Sequence, residues 1–399
     1  MMMPLPPPLR GADPDSFPQR TISTRLPSIA RSVLESADWH EEAQAHLQAL
    51  INEMPEGVLR PLDDPMAPDA AMWENDFAPY VGQTWLEAPW FAVETYFFRR
   101  ILEATGYYQP GAGYGVDPYR AQKRQELDFV FDSLRLMCAE FDPTYPTEAG
   151  EPVENRLASL LRRVIWGNQA DRSMWPAGTV STTDHSQHNE HLLMDQALQA
   201  SRFLTGRQPA RIDFVLDNGG QELAFDLGLA DFLLTTRLAR SVRLHAKKHP
   251  TYVSDATILD ILELISFLQG ASDAHLLGLA QRLGEHLVSG RLVLKDAFFW
   301  TSPLSAWEMP TWLQQELALA DLIFSKGDAN YRRWLGDRHW PYTTPLENIL
   351  VYRPAAILAL RVLKANMIAG LPEGLSEALD KKDPHWLYNG QWGVIQFVG

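Results

Sequence analysis

The stretch RIDFVLDNGGQELAFDLGLADFLLTT, residues 211–236, limits the possible folds more than any other part of the chain. A short apolar run, IDFVL, stops on an acid, an amide and two glycines, and a long apolar pattern of helical character starts at once. That is the signature of a buried strand turning directly into a helix. The same alternation continues downstream. VRLHA, TYV, LVL and DLIF read as further strands, and DILELISFL as another helix. Strand, helix and strand at this spacing predict a mostly parallel sheet with helices on both faces.

Before this region the rhythm is different. From residue 29 to residue 175 the pattern is helical. APWFAVETYFFRRILEATG predicts an amphipathic helix started by Pro89 and stopped at Gly106, and two later segments, DPYRAQKRQELDFVFDSLRLMCAEF and VENRLASLLRRVIWGN, keep the 3.6-residue period. HNEHLLMDQALQASRFL also reads as helical. The predicted organisation is therefore a helical N-terminal domain, 1–175, whose first 25 residues are a proline-rich extended lead-in, followed by an α/β domain, 176–399.

Charge and composition narrow the partners. The formal charge is −15, so no global positive field draws the chain to nucleic acid or anionic lipid. The proline-rich start has no apolar signal core and no run is long enough to span a bilayer, which gives the expectation of a cytoplasmic protein with no membrane partner. The single cysteine, Cys138, excludes an internal disulfide and a thiolate metal cage, and its helical context predicts a packed core thiol. The sequence sets no oligomeric state.

Parallel sheets bind ligands outside the carboxyl ends of their strands. Asp217 and Asn218 stand at such an end, with Gly219 and Gly220 allowing close approach. Asp255 follows TYV, and Lys326, Gly327, Asp328, Asn330 and Arg332 follow DLIF. A strand-end Asp taken singly is more often a helix N-cap. Three coincident strand ends carrying oxygen ligands suit a hard divalent cation such as Mg²⁺ or Mn²⁺, and the Lys and Arg beside them suit a phosphate.

These segments, together with HPTYVSDAT, LIFSKGDANYRRWLGDRHW, ALRVLKA and the earlier EAPWFAVETYFFRRI and VIWGNQADRSMW, resemble the metal-dependent damage-control phosphatases of the domain-of-unknown-function-89 family, in the branch of sugar-phosphate phosphatases and acidic-residue methyltransferases. The resemblance runs from residue 9 to residue 366. It implies a helical region packed on a three-layer α/β/α, Rossmann-like domain. It also implies that Asp217, Asn218 and Asp255 hold a divalent metal, described in the family as manganese, cobalt or nickel. By the same matching, Asp328, Asn330, Tyr331 and Arg332 contact the substrate, and Lys364 is the lysine of an Arg-Thr-x-Lys motif that here reads Arg361-Val362-Leu363-Lys364. The implied activity is hydrolysis of small phosphomonoesters such as fructose 1-phosphate or fructose 6-phosphate, with either water or Asp217 as nucleophile.

Two other readings stand beside this one. The branch's association with carboxyl methylation makes a methyltransferase using S-adenosylmethionine an alternative, but the glycines of GAGYG, Gly111 to Gly115, follow a helix stop and a proline rather than a strand. A non-catalytic sugar-phosphate-binding protein is the third, and loss of a metal ligand, its expected mark, is not seen. His185, His188 and His191 in DHSQHNEH do not make a metal site on a regular helix, because the outer two are about 120° apart around its axis. Trp85, Trp90 and Trp166 read as core or pocket wall. PAAILALRVLKANMI predicts a helix whose core stripe is Ala356, Leu360, Leu363 and Met367, with Arg361 and Lys364 on its flank.

Overall fold

The structure, a computed structural model, describes residues 3–127, 130–144, 151–168 and 190–399. Its sheet has seven strands: β1 (Leu192–Asp195), β2 (Ala210–Val215), β3 (Ala239–Lys247), β4 (Leu292–Ala297), β5 (Leu322–Lys326), β6 (Ala356–Val362) and β7 (Gly393–Val398). Across the sheet the order is β1-β7-β6-β5-β2-β3-β4. Every neighbouring pair is parallel except β6 with β7. The mostly parallel sheet expected from the strand–helix rhythm is the one that forms.

Helices cover both faces. In chain order those used below are α1 (Leu26–Glu35), α2 (Glu41–Glu53), α3 (Trp90–Ala104), α4 (Arg120–Leu127), α5 (Val130–Glu140), α6 (Val153–Val164), α7 (Ala197–Thr205), α8 (Gly220–Thr235), α9 (Ile258–Gln269), α10 (Ala274–Val288) and α11 (Gly327–Leu335). Strand side chains alternate between two cores, as the pleat requires. Ile212, Phe214 and Leu216 join the core formed with α5 to α10. Val215, Ile323, Ile357 and Ala359 join the one formed with α1, α2, α3 and α11. Each core therefore mixes residues from before and after residue 175. Leu134 and Leu161 pack into the same cluster as Phe214 and Leu227, and Trp85 and Phe97 into the same cluster as Ile323. The change of rhythm near residue 175 marks a change of local pattern, while the hydrophobic interior is common to both parts.

Several expected elements come out differently. Helix α3 starts after Pro89 as anticipated, but it is buried on every side rather than amphipathic, and its charges are matched internally. Arg99 pairs with Asp64 at 2.9 Å and Asp69 at 2.8 Å, and Arg100 with Glu53 at 2.9 Å. The HLLMD segment forms β1, and the helix predicted there begins only at Ala197. TYV is not a strand: Tyr252 and Val253 lie in a turn with φ of 49° and 70°. The helix predicted over PAAILALRVLKANMI is strand β6, so Leu358 and Leu360 face one core and Ile357 and Ala359 the other. Leu363 and Met367 are buried beyond the strand's end rather than along a helical stripe. Cys138 is a buried free thiol whose pKa burial pushes up to about 12, as a core position demands. Trp85, Trp90 and Trp166 are buried too. Among the described residues no helix is long and apolar enough to cross a membrane.

Candidate metal and phosphate site

Four adjacent parallel strands, β6, β5, β2 and β3, deliver polar residues to one edge of the sheet. From β2 the chain proceeds outward through β3 and β4, then returns to build β5 on the other side of β2. The crevice between β2 and β5 is thus the point where strand order reverses, the place a parallel sheet leaves open to a ligand. Asp217 lies just past β2 and Gly327 just past β5.

Main-chain hydrogen bonds bring the second acidic segment alongside. Gly219 N–H donates to the Ser254 carbonyl at 2.7 Å, and Ala256 N–H to the Asp217 carbonyl at 2.7 Å. Asn218 and Asp255 face each other across a single antiparallel bridge. The Asn218 amide donates to Asp217 Oδ2 at 3.0 Å and Glu222 Oε2 at 2.9 Å, while its oxygen accepts from Ser254 Oγ at 2.6 Å. Presenting Ser254 and Asp255 this way requires the left-handed turn at Tyr252 and Val253. That conformation is costly for a β-branched residue and is held only by its surroundings.

The electrostatics are those of a buried acidic pocket only partly neutralised by lysines. Asp217 is 7% exposed, and its Oδ1 has no hydrogen-bond partner among the described residues. Burial raises its pKa well above the carboxylate range, the charges of Asp255 and Glu222 raise it further, and Lys247 and Lys364 pull it back. Burial lifts Asp255 to about 6 against the pull of Lys247, whose Nζ lies 3.2 Å from Asp255 Oδ2. Beneath the crevice, Lys326 Nζ sits 2.9 Å from Asp226 and 3.6 Å from Glu222.

The five residues expected to contact substrate separate into different roles. Lys364 is exposed on the loop after β6, and its charge acts on Asp217. Asp328 faces this loop: its Oδ1 accepts from Arg361 Nε at 2.8 Å and from the Lys364 N–H at 3.2 Å, while Arg361 also donates to the carbonyls of Ala365 and Met367. Arg361, fully buried, therefore fixes the loop that carries Lys364. Asn330 donates to the Leu216 and Lys326 carbonyls at 2.9 and 2.8 Å, clamping β2 to β5 at the crevice, and accepts from Lys247 at 3.2 Å. The Tyr331 hydroxyl bonds Gln396 at 2.9 Å. The Arg332 guanidinium is held by Glu94 at 2.5 Å and Asp337 at 2.8 Å and lies 3.7 Å from the Trp90 ring centroid. The structure brings neither Tyr331 nor Arg332 into hydrogen-bond contact with the acidic cluster. Both tie α11 to the rest of the core.

Sequence reading missed Glu222, Lys247 and Ser254. Lys247 is the last residue of β3 and Glu222 lies one helical turn beyond Asn218, so strand-end position and i, i+4 spacing were the signals available. The loop expected for Gly111 to Gly115 is present, packed against the end of α3, where a Cβ on Gly113 would fall 1.8 Å from the Thr105 carbonyl oxygen. His185 and His188 lie outside the described residues; His191 precedes β1 with its ring 4.8 Å from that of Trp392.

Among the described residues no group of three or more His, Cys, Asp or Glu side chains makes a preformed metal cage. The set here is two carboxylates and an amide oxygen, which leaves other positions of an oxygen-seeking cation to water and substrate. The orphaned Asp217 Oδ1 and the crowding of Asp217, Asp255 and Glu222 fit a divalent cation that would satisfy the first and relieve the second. The crevice also demands glycine at position 327, where φ is 78° and an added Cβ would fall 1.9 Å from Asp217 Oδ2. Gly327→Ala is expected to displace the Asp217 carboxylate and to add about 1–2 kcal/mol of backbone strain. Calorimetric titration of Mn²⁺ should show affinity reduced at least tenfold, and unchanged affinity would separate Gly327 from the site.

The model of the damage-control phosphatase ARMT1-like domain matches residues 21–379 of the chain. The damage-control phosphatase ARMT1 of Rattus norvegicus is 30% identical, the match covering 98% of this chain and 98% of that protein. The Danio rerio protein of the same name is 31% identical over 96% and 94% of the two chains, and that of Homo sapiens 30% over 99% of each. Among solved structures, that of a DUF89 family protein from Pyrococcus horikoshii covers 94% of this chain and 96% of its own at 12% identity and a TM-score of 0.48. The chain belongs to the damage-control phosphatase ARMT1-like domain family, the one its strand-end motifs resemble.

Proposed function

We propose that the chain is a metal-dependent phosphatase acting on phosphomonoesters of small metabolites, with sugar phosphates such as fructose 1-phosphate and fructose 6-phosphate as the substrate class. The observation that carries the reading is the buried pair Asp217 and Asp255 at the β2–β5 crevice, with one carboxylate oxygen left without a partner. Asp217, Asn218 and Asp255 would hold Mn²⁺, Co²⁺ or Ni²⁺, with Mg²⁺ admitted by the same oxygen donors. A cation bound there supplies Lewis-acid stabilisation of the phosphoryl oxygens. Lys364, exposed beside Asp217, adds positive charge where the phosphate would sit. Asn218 is oriented by Ser254 and Glu222, Asp255 by Lys247, and the β2 and β5 ends by Asn330, so the donors are arranged before any ligand arrives. The family's name supports phosphatase chemistry, and the oxygen-only donor set supports the metal.

The test is hydrolysis of p-nitrophenyl phosphate and of fructose 1-phosphate after chelation and after return of single metals. Activity should vanish with chelator and recover with Mn²⁺, Co²⁺ or Ni²⁺. Full activity in excess EDTA, once metal removal has been demonstrated, would overturn the proposal.

A further inference from the structure

A cleft of about 760 Å³ lies between the N-terminal helices and the Tyr252–Ser254 turn. Its lining includes Ser254, whose hydroxyl donates to Asn218 at 2.6 Å, so one side chain is shared between the cleft wall and the shell of the acidic site. Another wall is the exposed side of α1 and of the π-helical segment Thr21–Arg25 before it, where Thr24, Ser28 and Ser32 present hydroxyls. Phe17 stacks on Tyr388 with ring centroids 4.7 Å apart, and the Arg20 guanidinium lies 5.5 Å from the Tyr388 ring centroid.

Its charge distinguishes this cleft. The chain carries 50 acidic against 35 basic residues, yet the described lining contains Arg20 and Arg25 and no carboxylate. Neither arginine forms a salt bridge among the described residues, and the Arg20 guanidinium bonds only the Tyr388 hydroxyl, at 3.4 Å. The smaller cavity at the ends of β3 and β4 is the opposite case: Arg120, Lys123 and Lys248 are each already paired with a lining acid. Tyr119 in the cleft wall is 4% exposed, and its hydroxyl also lacks a partner among the described residues. Two unneutralised guanidinium groups over hydroxyls and aromatic rings are suited to a polyhydroxylated ligand ending in an anion.

We propose that this cleft receives the part of the substrate beyond its reacting phosphoryl group, and that Arg20 and Arg25 select phosphomonoesters bearing a second anionic group, a phosphate or a carboxylate. The proposal rests on the phosphatase reading and adds a preferred substrate shape, a sugar-sized molecule charged at both ends.

The test compares wild type with an Arg20→Ala/Arg25→Ala double variant in the full chain, using Mn²⁺ and four probes. Fructose 1,6-bisphosphate carries a second phosphate and 6-phosphogluconate a carboxylate, whereas fructose 6-phosphate and p-nitrophenyl phosphate have no second anion. In the double variant KM for the doubly charged probes should rise about tenfold, the loss of one or two partly screened charge-assisted contacts, with kcat little changed. KM for the singly charged probes should stay within about twofold. A rise with only one of the doubly charged probes identifies the anion preferred. Equal changes for all four probes, or none, would overturn the proposal. Calorimetric binding of the same probes to both proteins is read alongside. If no probe is hydrolysed, the phosphatase reading fails by itself, while loss of bisphosphate and phosphogluconate binding in the variant would still support the cleft, and unchanged binding would overturn it.

Discussion

Asp255→Asn should abolish metal-dependent phosphatase turnover while leaving the metal-free protein at least as stable as wild type at pH 8. The loss of activity should be no smaller than the roughly 10²–10³-fold that removal of one preorganised charge-stabilising group costs. The stability argument follows from proton linkage. Burial raises the folded pKa of Asp255 to about 6 from the ordinary aspartate value of 3.8, so the folded state binds the proton more tightly than the unfolded chain. That contribution is present at low pH and is lost as pH rises through about 6. Above it, the folded protein carries a buried carboxylate at a cost on the order of 3 kcal/mol. The asparagine side chain removes that charge, and Lys247 retains Asn330 at 3.2 Å. Thermal denaturation in chelator at pH 8 and at pH 4.5, with activity measured in Mn²⁺, checks both halves. A variant that melts several degrees earlier without metal and keeps activity in proportion to its folded fraction would make Asp255 a structural group.

Lys364→Ala should lower kcat/KM for sugar phosphates by about 10²–10³-fold, equivalent to about 3–4 kcal/mol of transition-state stabilisation. Affinity for Mn²⁺ should change little, because Lys364 influences Asp217 only through its charge and bonds none of the three proposed metal ligands through its side chain. The loop bearing it should stay in place, since Arg361 and the Lys364 backbone N–H both remain on Asp328. Kinetics within about twofold of wild type would remove Lys364 from the site.

Where the residues themselves fixed the local structure, the sequence could be read. IDFVL ends on Asp217-Asn218-Gly219-Gly220, and glycine at 220, with φ of 56°, supplies the sharp turn into α8 that the pattern suggested. The segment around β6 could not be read this way. AAILALRV satisfies helical spacing and has the composition of a helix, but a strand buried on both faces needs no polar alternation, and its place between β5 and β7 decides the matter. Helical spacing therefore places Arg361 on a helix flank, whereas it is an interior cation neutralised by Asp328. TYV misled for the converse reason. Its residues favour strands, and the surrounding structure holds them in a left-handed turn to deliver Asp255. The positions proposed to hold a metal are legible because strand ends are marked by composition, and the structure does bring Asp217, Asn218 and Asp255 together. The roles of Tyr331 and Arg332 are not legible, because the partners that saturate them, Gln396 and Glu94, are remote in sequence and chosen by packing.

The placing of β7 also governs when the molecule can be completed during synthesis. Residues 393–398 are inserted between β1, residues 192–195, and β6. A nascent chain can assemble β2 through β6 as each emerges, but β1 has nothing to pair with and β6 shows a bare apolar edge until β7 leaves the ribosome. Open edges of this kind recruit other unfinished chains. The interval before β7 appears is therefore one in which the nearly assembled sheet still has an open edge, and slow translation of the segment between β6 and β7 would lengthen it.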